Sequence, residues 1–178
     1  RFGYDGKGQR LLKTAQEVVG AWASLGEVPA ILEGFCPFLR EVSLVAARGT
    51  SGEMCFYPLV ENEHDKGVLR RTWAPALDLG HLQEQAEDYV KKLFLSLDYV
   101  GVLAVEFFQD ASGLRANEMA PRTHNSGHWS IDGAITSQFE NHLRAICGFK
   151  LGRTDPTGHV CMINLLGRIP DVCLLYTS

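Results

Sequence analysis

Apolar positions along the chain recur at helical spacing in three segments. The first helix is predicted over residues 10–25, where one face is formed by Leu11, Leu12, Ala15, Val18, Val19 and Trp22. The second is predicted over residues 79–97, with Leu82, Ala86, Tyr89, Val90, Leu93 and Phe94 on one face and charged residues opposite. A shorter third helix is predicted over residues 136–147. The pattern therefore predicts two or three helices.

Strand-like runs lie between these helices. They are predicted over residues 30–35, 41–48, 54–61, 68–74, 99–108, 114–119 and 160–166. The turn at 49–52 predicts a hairpin between the second and third runs, and the turn at 110–113 predicts another between the fifth and sixth. The last run begins a strand whose partners could lie outside the chain. Mostly antiparallel strands interleaved with helices predict an α+β fold.

The second hairpin brings two acidic residues together. Glu106 lies in an apolar run with apolar neighbours on both faces, where a carboxylate needs a partner. A three-residue loop that ends on Gly113 in a left-handed conformation pairs Asp110 with Leu114. Counting back from that pair places Glu106 opposite Glu118. Opposed like charges destabilise a hairpin unless something neutralises them.

Two explanations of this acidic pair are open from the residues alone. Magnesium binds carboxylate oxygens and substrate phosphates, so a metal ion would neutralise Glu106 and Glu118. The alternative is a structural pair that is protonated or paired with Arg115 or Arg122. The hairpin pattern does not choose between them.

Composition narrows the function classes. The 178 residues carry 17 Lys+Arg and 21 Asp+Glu, a net charge of −4 that offers no broad attraction for nucleic acid. The five cysteines are scattered and form no CxxC pair, so neither disulfides nor a zinc site is predicted, and a reducing cytoplasm is expected. No apolar run reaches about 18 residues, so no membrane span is predicted. Because the chain starts inside a glycine-rich segment without an initiator Met, we expect it to be part of a longer protein.

Ordered motifs along the chain resemble one enzyme family. The glycine-rich segment over residues 2–8 has the composition of a mobile backbone loop, and it leads into a helix as phosphate-binding loops do. Together with four further motifs it resembles the N5-carboxyaminoimidazole ribonucleotide synthase family of ATP-grasp carboxylases, over the chain to about Pro170. Those motifs are Glu41-Val-Ser-Leu44, Phe56-Tyr-Pro-Leu-Val-Glu-Asn62, Asn117-Glu-Met-Ala-Pro-Arg-Thr-His-Asn-Ser-Gly-His-Trp129 and Thr136-Ser-Gln-Phe-Glu-Asn-His-Leu-Arg144.

The resemblance implies a domain organisation and an activity. An ATP-grasp domain is implied over residues 1–152 and the start of a C-terminal domain over 153–178, of which 173–178 do not resemble the family. The implied enzyme uses ATP, magnesium and bicarbonate to carboxylate 5-aminoimidazole ribonucleotide in purine biosynthesis, in the cytoplasm and as a homodimer when complete. The isolated chain is expected to be incomplete and inactive. The alternatives are a nucleotide-binding fragment without turnover and another ATP-grasp ligase, such as a formyltransferase.

The resemblance also implies the site residues. The loop that closes over ATP is Phe2, Gly3, Tyr4, Asp5, Gly6, Lys7 and Gly8. The other implied ATP contacts are Glu33, Gly34, Phe35, Cys36, Glu41, His64, Asn117 and Glu118. Substrate contacts are implied for Tyr4, Asp5, Lys7, Arg122, His124, Asn125 and Ser126, the first five of which are the implied catalytic residues. The implied magnesium ligands are Glu106 and Glu118. Taken alone, His64 would more often be an ordinary histidine of a surface loop.

Overall fold

The computed structural model describes residues 8–167, and the chain splits into two compact units. Among the described residues, the smaller unit comprises residues 8–36 together with His64–Val68. It contains a 3-10 turn at Ala15–Glu17 that continues into helix α1, Val18–Ser24. The helix predicted over residues 10–25 is therefore confirmed only in its second half, because the preceding Thr14 is extended.

The strand predicted over residues 30–35 is wrong. The segment has no regular secondary structure, and Ile31, Leu32 and Phe35 are all at least 73% exposed. An apolar run forms a strand only where a paired neighbour and a buried face stabilise it. Proline, which has no backbone N–H to donate to a ladder, lies on both sides of the segment at positions 29 and 37.

The larger unit comprises Pro37–Glu63 and, within the described residues, 69–167. The strands are β1 (Arg40–Arg48), β2 (Met54–Phe56), β3 (Val60–Asp65), β4 (Val68–Ala74), β5 (Gly101–Asp110), β6 (Gly113–Ala120) and β7 (Val160–Ile163). Their order is β6-β5-β1-β3-β4-β7, with β2 paired to β1. The helices are α2 (Gln83–Leu97), α3 (Ser130–Gly133) and α4 (Gln138–Ile146). An antiparallel sheet with helices confirms the predicted α+β class.

Strand β5 is buried on both faces for most of its length. On the face towards α2, Leu103, Val105 and Phe107 of β5 form a hydrophobic core together with Ala86, Val90 and Phe94 of the helix. On the opposite face, the core members are Val102, Ala104, Trp129 and Ala145. A strand covered on both faces shows no apolar and polar alternation. This is why the sequence pattern could not assign Glu106 to one face.

Two of the other strands differ from their predictions. The run predicted over 54–61 is broken into β2 and β3, because Pro58 in the connection has no N–H to donate. The final strand ends at Ile163, and it has a partner within the chain. It pairs with β4, with Ala74 opposite Val160 and Arg71 opposite Ile163.

The remaining connections agree with their turn chemistry. The hairpin predicted around residues 49–52 is confirmed, since Gly52 N–H donates to the Gly49 carbonyl at 3.0 Å and β1 pairs with β2. Over residues 8–167, no helix combines the length and the apolar character needed to cross a membrane. The domain boundary between residues 152 and 153 stays a prediction.

Candidate functional site

Glu106 and Glu118 are directly opposed across β5 and β6, as predicted, but the loop that joins the strands is shorter than predicted. Asp110 pairs with Gly113, so the loop contains two residues. In a regular ladder this loop would turn the two acids to opposite faces of the sheet. A β-bulge next to Glu106 adds one residue to β6 and restores the opposition.

The loop side chains explain the tight connection. Asp110 Oδ1 accepts the Ser112 N–H at 2.7 Å and the Ser112 hydroxyl at 2.5 Å. These hydrogen bonds hold the pKa of Asp110 below its ordinary value. Gly113 has a φ of 123°, which confirms the predicted positive φ and favours glycine there.

His124 lies beside the two acids and completes a three-residue cluster. Ligand atoms of Glu106, Glu118 and His124 lie within 4.8 Å of one another. His124 Nε2 is 3.6 Å from Glu106 Oε1, and the two side chains are only 9% and 15% exposed. Glu118 is exposed. The cluster therefore reaches solvent through Glu118 and is buried on the His124 side.

The hydrogen bonds of His124 define which ring nitrogen faces the acids. Ser126 N–H donates to His124 Nδ1 at 3.4 Å, and Ser126 Oγ lies 2.9 Å from the same nitrogen. Ser126 N–H also donates to Asn125 Oδ1 at the shorter distance of 2.9 Å. Ser126 therefore contacts the imidazole at Nδ1, and Nε2 lies on the side of Glu106.

The backbone of His124 is held by one side chain of helix α4. Gln138 Oε1 accepts the His124 N–H at 3.0 Å, and Gln138 Nε2 donates to the His124 carbonyl at 2.6 Å. Gln138 itself is fully buried. Its backbone N–H donates to Ser130 Oγ, which donates to the Gly127 carbonyl. The loop that carries His124 is therefore bonded to the first turn of α4.

A buried row of polar side chains continues across the sheet from the acids. Ser43 on β1 is paired with Glu106, so the two side chains share a face. Asn62 on β3 bonds Ser43 Oγ at 2.9 Å, and Thr72 on β4 bonds the Asn62 amide at 3.0 Å. All three are buried. Glu118, Glu106 and this row form a polar line across the sheet.

The other predicted residues of the larger unit lie around this line. Asn117 is exposed, and it is the residue of β6 left without an opposite partner on β5 at the bulge. Glu41 is half-buried on β1, paired with Phe108, two residues along β5 from Glu106. Arg122 is exposed and Asn125 is half-buried. Asn117 and Arg122 are thus exposed to solvent, and Glu41 and Asn125 are partly exposed.

The predicted residues of the smaller unit are considered separately. Glu33, Gly34 and Phe35 are exposed and Cys36 is half-buried, all in irregular backbone. His64 is half-buried near the end of β3, so it lies on a strand and not in the expected loop. Gly8 is exposed with a φ of 68°. The rest of the predicted lid, Phe2, Gly3, Tyr4, Asp5, Gly6 and Lys7, lies outside the described residues.

Sequence reasoning missed the residues that support the site from behind. They are Ser43, Asn62, Thr72, Gln138 and Ser130. A signal for Gln138 was present, because it lies in the motif Thr136-Ser-Gln-Phe-Glu-Asn-His-Leu-Arg144 and on the same helical face as Asn141 and Ala145.

Comparison with known proteins agrees with the geometry. Residues 1–139 match the family model of the ATP-grasp domain. The chain therefore belongs to the ATP-grasp family. Within that family it is similar to N5-carboxyaminoimidazole ribonucleotide synthases, which confirms the resemblance drawn from its motifs.

Three relatives show the extent of the similarity. The chain is 58% identical over 172 residues to the N5-carboxyaminoimidazole ribonucleotide synthase of Pseudomonas aeruginosa, covering 96% of this chain and 47% of that protein. The solved synthetase of Thermus thermophilus is 56% identical with a TM-score of 0.89, covering 92% of this chain and 46% of the other. The Aspergillus clavatus synthase, solved with ADP and 5-aminoimidazole ribonucleotide, is 27% identical with a TM-score of 0.80, covering 86% and 42%. The chain thus spans about half the length of the relatives it matches.

Proposed function

We propose that the full-length protein carrying this chain is an ATP-dependent ligase that carboxylates 5-aminoimidazole ribonucleotide with bicarbonate, giving N5-carboxyaminoimidazole ribonucleotide, ADP and phosphate. The observation that carries the proposal is the opposed pair Glu106 and Glu118 at the edge of an ATP-grasp sheet. The identity to synthases of this reaction supports the choice of substrate. We further propose that the full-length protein is located in the cytoplasm and forms a homodimer.

The acidic pair fits the magnesium ion that the reaction requires. Two directly opposed carboxylates without a cation would repel each other. Magnesium takes oxygen ligands, usually one or two carboxylates together with phosphates. Glu106 and Glu118 supply such oxygens, while His124 Nε2 lies 3.6 Å from Glu106 Oε1. When bound, the ion would neutralise charge on the phosphate oxygens of ATP.

The reaction itself consists of two displacements. A bicarbonate oxygen attacks the γ-phosphorus of ATP, the bond to ADP breaks, and carboxyphosphate forms. The exocyclic amine of 5-aminoimidazole ribonucleotide then attacks the carboxyl carbon, either of carboxyphosphate or of the carbon dioxide released from it; phosphate leaves and the amine loses a proton. Both steps require exclusion of water, since water would hydrolyse the intermediate. The glycine-rich segment over residues 2–8 is the proposed lid.

The described residues would bind and orient the reactants. Asn117, placed at the bulge beside Glu118, would contact the ATP phosphates. The exposed Arg122 can hold phosphate or carboxylate through its planar guanidinium, and Asn125 can orient the aminoimidazole. Ser126 is fully buried with its hydroxyl on His124, so we propose that it contributes through His124.

The nucleotide contacts form a second part of the proposal. Glu41, half-buried on β1, would accept hydrogen bonds from the ribose hydroxyls. The segment Glu33, Gly34, Phe35 and Cys36 would meet the adenine through its backbone, and His64 would contact the nucleotide. Tyr4, Asp5 and Lys7 are the proposed lid residues that face both ATP and bicarbonate. Each of these assignments is supported by its motif and remains to be tested singly.

The decisive experiment follows labelled carbon. Full-length protein is incubated with ATP, magnesium, carbon-13 bicarbonate and 5-aminoimidazole ribonucleotide, and ADP and carboxylated product are quantified together. We expect equal amounts of both, with ADP release dependent on the ribonucleotide. ADP release driven instead by formate and another amine substrate would identify a formyltransferase-type ligase. Nucleotide binding with neither product would establish the non-catalytic alternative.

A further inference from the structure

We propose that Gln138 is a positioning residue, which sets the distance between His124 and Glu106 by holding the His124 backbone. The effect on turnover rests on the proposed function of the acidic pair, whereas the structural effect does not. Gln138 bonds both the N–H and the carbonyl of His124, so its action on the acidic pair would pass through His124.

The geometry of the Gln138 side chain matches the backbone of one residue. Its amide oxygen accepts from His124 N–H and its amide nitrogen donates to the His124 carbonyl, at 3.0 and 2.6 Å. Because a backbone N–H can only donate and a carbonyl can only accept, these two bonds fix the orientation of the amide. Two bonds to one residue restrain both the position and the rotation of its peptide groups.

The backbone at Gly127 packs closely against the Gln138 amide. A Cβ built on Gly127 would lie 2.6 Å from Gln138 Oε1 and 2.7 Å from its Cδ. The loop therefore approaches the amide more closely than any other residue would allow. The backbone N–H of Gln138 is fixed on Ser130 Oγ at 3.0 Å. The amide is restrained from both the helix and the loop.

The restraint on the His124 backbone also limits where its imidazole lies relative to Glu106. His124 is 7% exposed, and its Nε2 faces Glu106 Oε1 at 3.6 Å. An imidazole at that distance moves away from the carboxylate when its backbone shifts by a fraction of an ångström. Displacements near 1 Å in an active site can reduce turnover about 100-fold. Loss of the Gln138 amide should therefore reduce kcat while substrates that do not touch His124 still bind.

Helix α4 offers a matched control. Asn141 is also fully buried, and its amide makes the same two-point contact with another peptide, accepting from Gly152 N–H at 2.7 Å and donating to the Gly152 carbonyl at 3.3 Å. Gly152 lies after α4, in a different segment from His124. Loss of either amide leaves buried backbone groups unpaired. The two side chains therefore carry similar structural roles but hold different segments, and Asn141 also donates to the Tyr57 hydroxyl at 2.9 Å.

The test compares Gln138→Met with Asn141→Leu in the full-length protein, each alone and combined with His124→Ala. We expect Gln138→Met to lower kcat about 10- to 100-fold, with the KM for ATP changed less than about threefold. In the His124→Ala background the same change should lower kcat less than about twofold, because the residue through which it acts is gone. Asn141→Leu should lower the free energy of unfolding and leave kcat of the folded protein within about threefold in both backgrounds.

Hydrogen exchange gives a readout that does not depend on turnover. The His124 amide should exchange faster in Gln138→Met than in Asn141→Leu, measured at equal stability. If the parent makes no product but this exchange difference is present, the proposed function fails and the positioning role stands. Gln138→Glu keeps an acceptor for the His124 N–H, so it should retain part of the kcat that Gln138→Met loses. It is also the variant to measure if Gln138→Met does not fold. Unchanged exchange at His124, or an equal loss of kcat with and without His124, would overturn the inference.

Discussion

Glu106 and Glu118 face each other across β5 and β6 even though a two-residue loop connects the strands. Two features produce this arrangement together. The loop sets one register from Asp110 and Gly113, and the bulge shifts it by one residue before the acids are reached. Each feature alone would place the acids on opposite faces, because strand side chains alternate. The shared face therefore depends on an irregular ladder.

The register can be measured by cross-linking. With the bulge, residue 106 pairs with 118, whereas without it residue 106 would pair with 117. Directly opposed positions have Cβ atoms about 4.5–5.5 Å apart, within reach of a disulfide after small adjustment. We expect Glu106→Cys with Glu118→Cys to form a disulfide on mild oxidation, mapped by peptide mass spectrometry. Glu106→Cys with Asn117→Cys is the matched control and should cross-link much less; the reverse ranking would refute the bulged register.

Glu106→Gln should impair turnover much more than folding. The substitution keeps the shape of the side chain and removes one negative charge from the acidic pair. We expect kcat to fall about 100-fold or more at fixed magnesium, with the apparent magnesium requirement increased. Steady-state kinetics over a magnesium series, beside urea unfolding, measures both effects.

Glu63→Gln is the control for that experiment. Glu63 is an exposed acid on β3 that pairs with Arg71 at 2.9 Å, and exposed pairs contribute little to stability. This variant should match the parent in turnover and in magnesium dependence. If Glu106→Gln also matches the parent, Glu106 is not a metal ligand; if it unfolds, the carboxylate has a structural role instead.

The acidic pair was predictable from sequence because opposed positions in a hairpin follow from counting residues back from the loop. The count used a three-residue loop and a regular ladder, and the structure has a two-residue loop and a bulge. The two differences cancel at Glu118. Nothing in the composition of residues 113–120 identifies the bulge, since it is a property of how β6 pairs with β5.

Helix α4 shows why the supporting residues were harder to predict. Its exposed positions include three large apolar residues, Phe139, Leu143 and Ile146. Its buried positions are Gln138, Asn141 and Ala145. Hydrophobic periodicity located the helix correctly but would choose the wrong face, because here the buried face is selected by hydrogen bonds to irregular backbone at His124 and Gly152. Such partners are distant in sequence and follow no period.

Gly127 should be intolerant of any side chain. An added Cβ would lie 2.6 Å from Gln138 Oε1, so either the amide or the loop must move. We expect Gly127→Ala to lower the free energy of unfolding by about 1–3 kcal/mol, as overpacking in a filled interior does. Urea unfolding measures this.

A second glycine provides the comparison for that change. A Cβ added to Gly20 in α1 would have no atom within 4 Å. Glycine inside a helix lowers stability by about 0.5–1 kcal/mol relative to alanine. Gly20→Ala should therefore leave stability equal or slightly higher. A Gly127→Ala variant as stable as the parent would show that the loop does not approach Gln138 as closely as described.

Alkaline pH should destabilise the fold through Cys55. Burial raises the pKa of the Cys55 thiol from 9.0 to about 11, despite the hydrogen bond with the Ala47 backbone. Between these values the unfolded chain releases the thiol proton and the folded chain keeps it, so unfolding is favoured as pH rises. The slope from one such group approaches about 1.4 kcal/mol per pH unit. Urea unfolding at pH 8.0 to 10.0 should show this loss of stability in the parent and a smaller slope in Cys55→Ala. Burial also raises the pKa of Tyr57, which contributes mainly above pH 10.0.

Cys147→Ala is the control for this experiment. Cys147 is exposed, so the variant should keep the parental slope. Identical slopes in Cys55→Ala and the parent would show that the Cys55 thiol does not carry the effect.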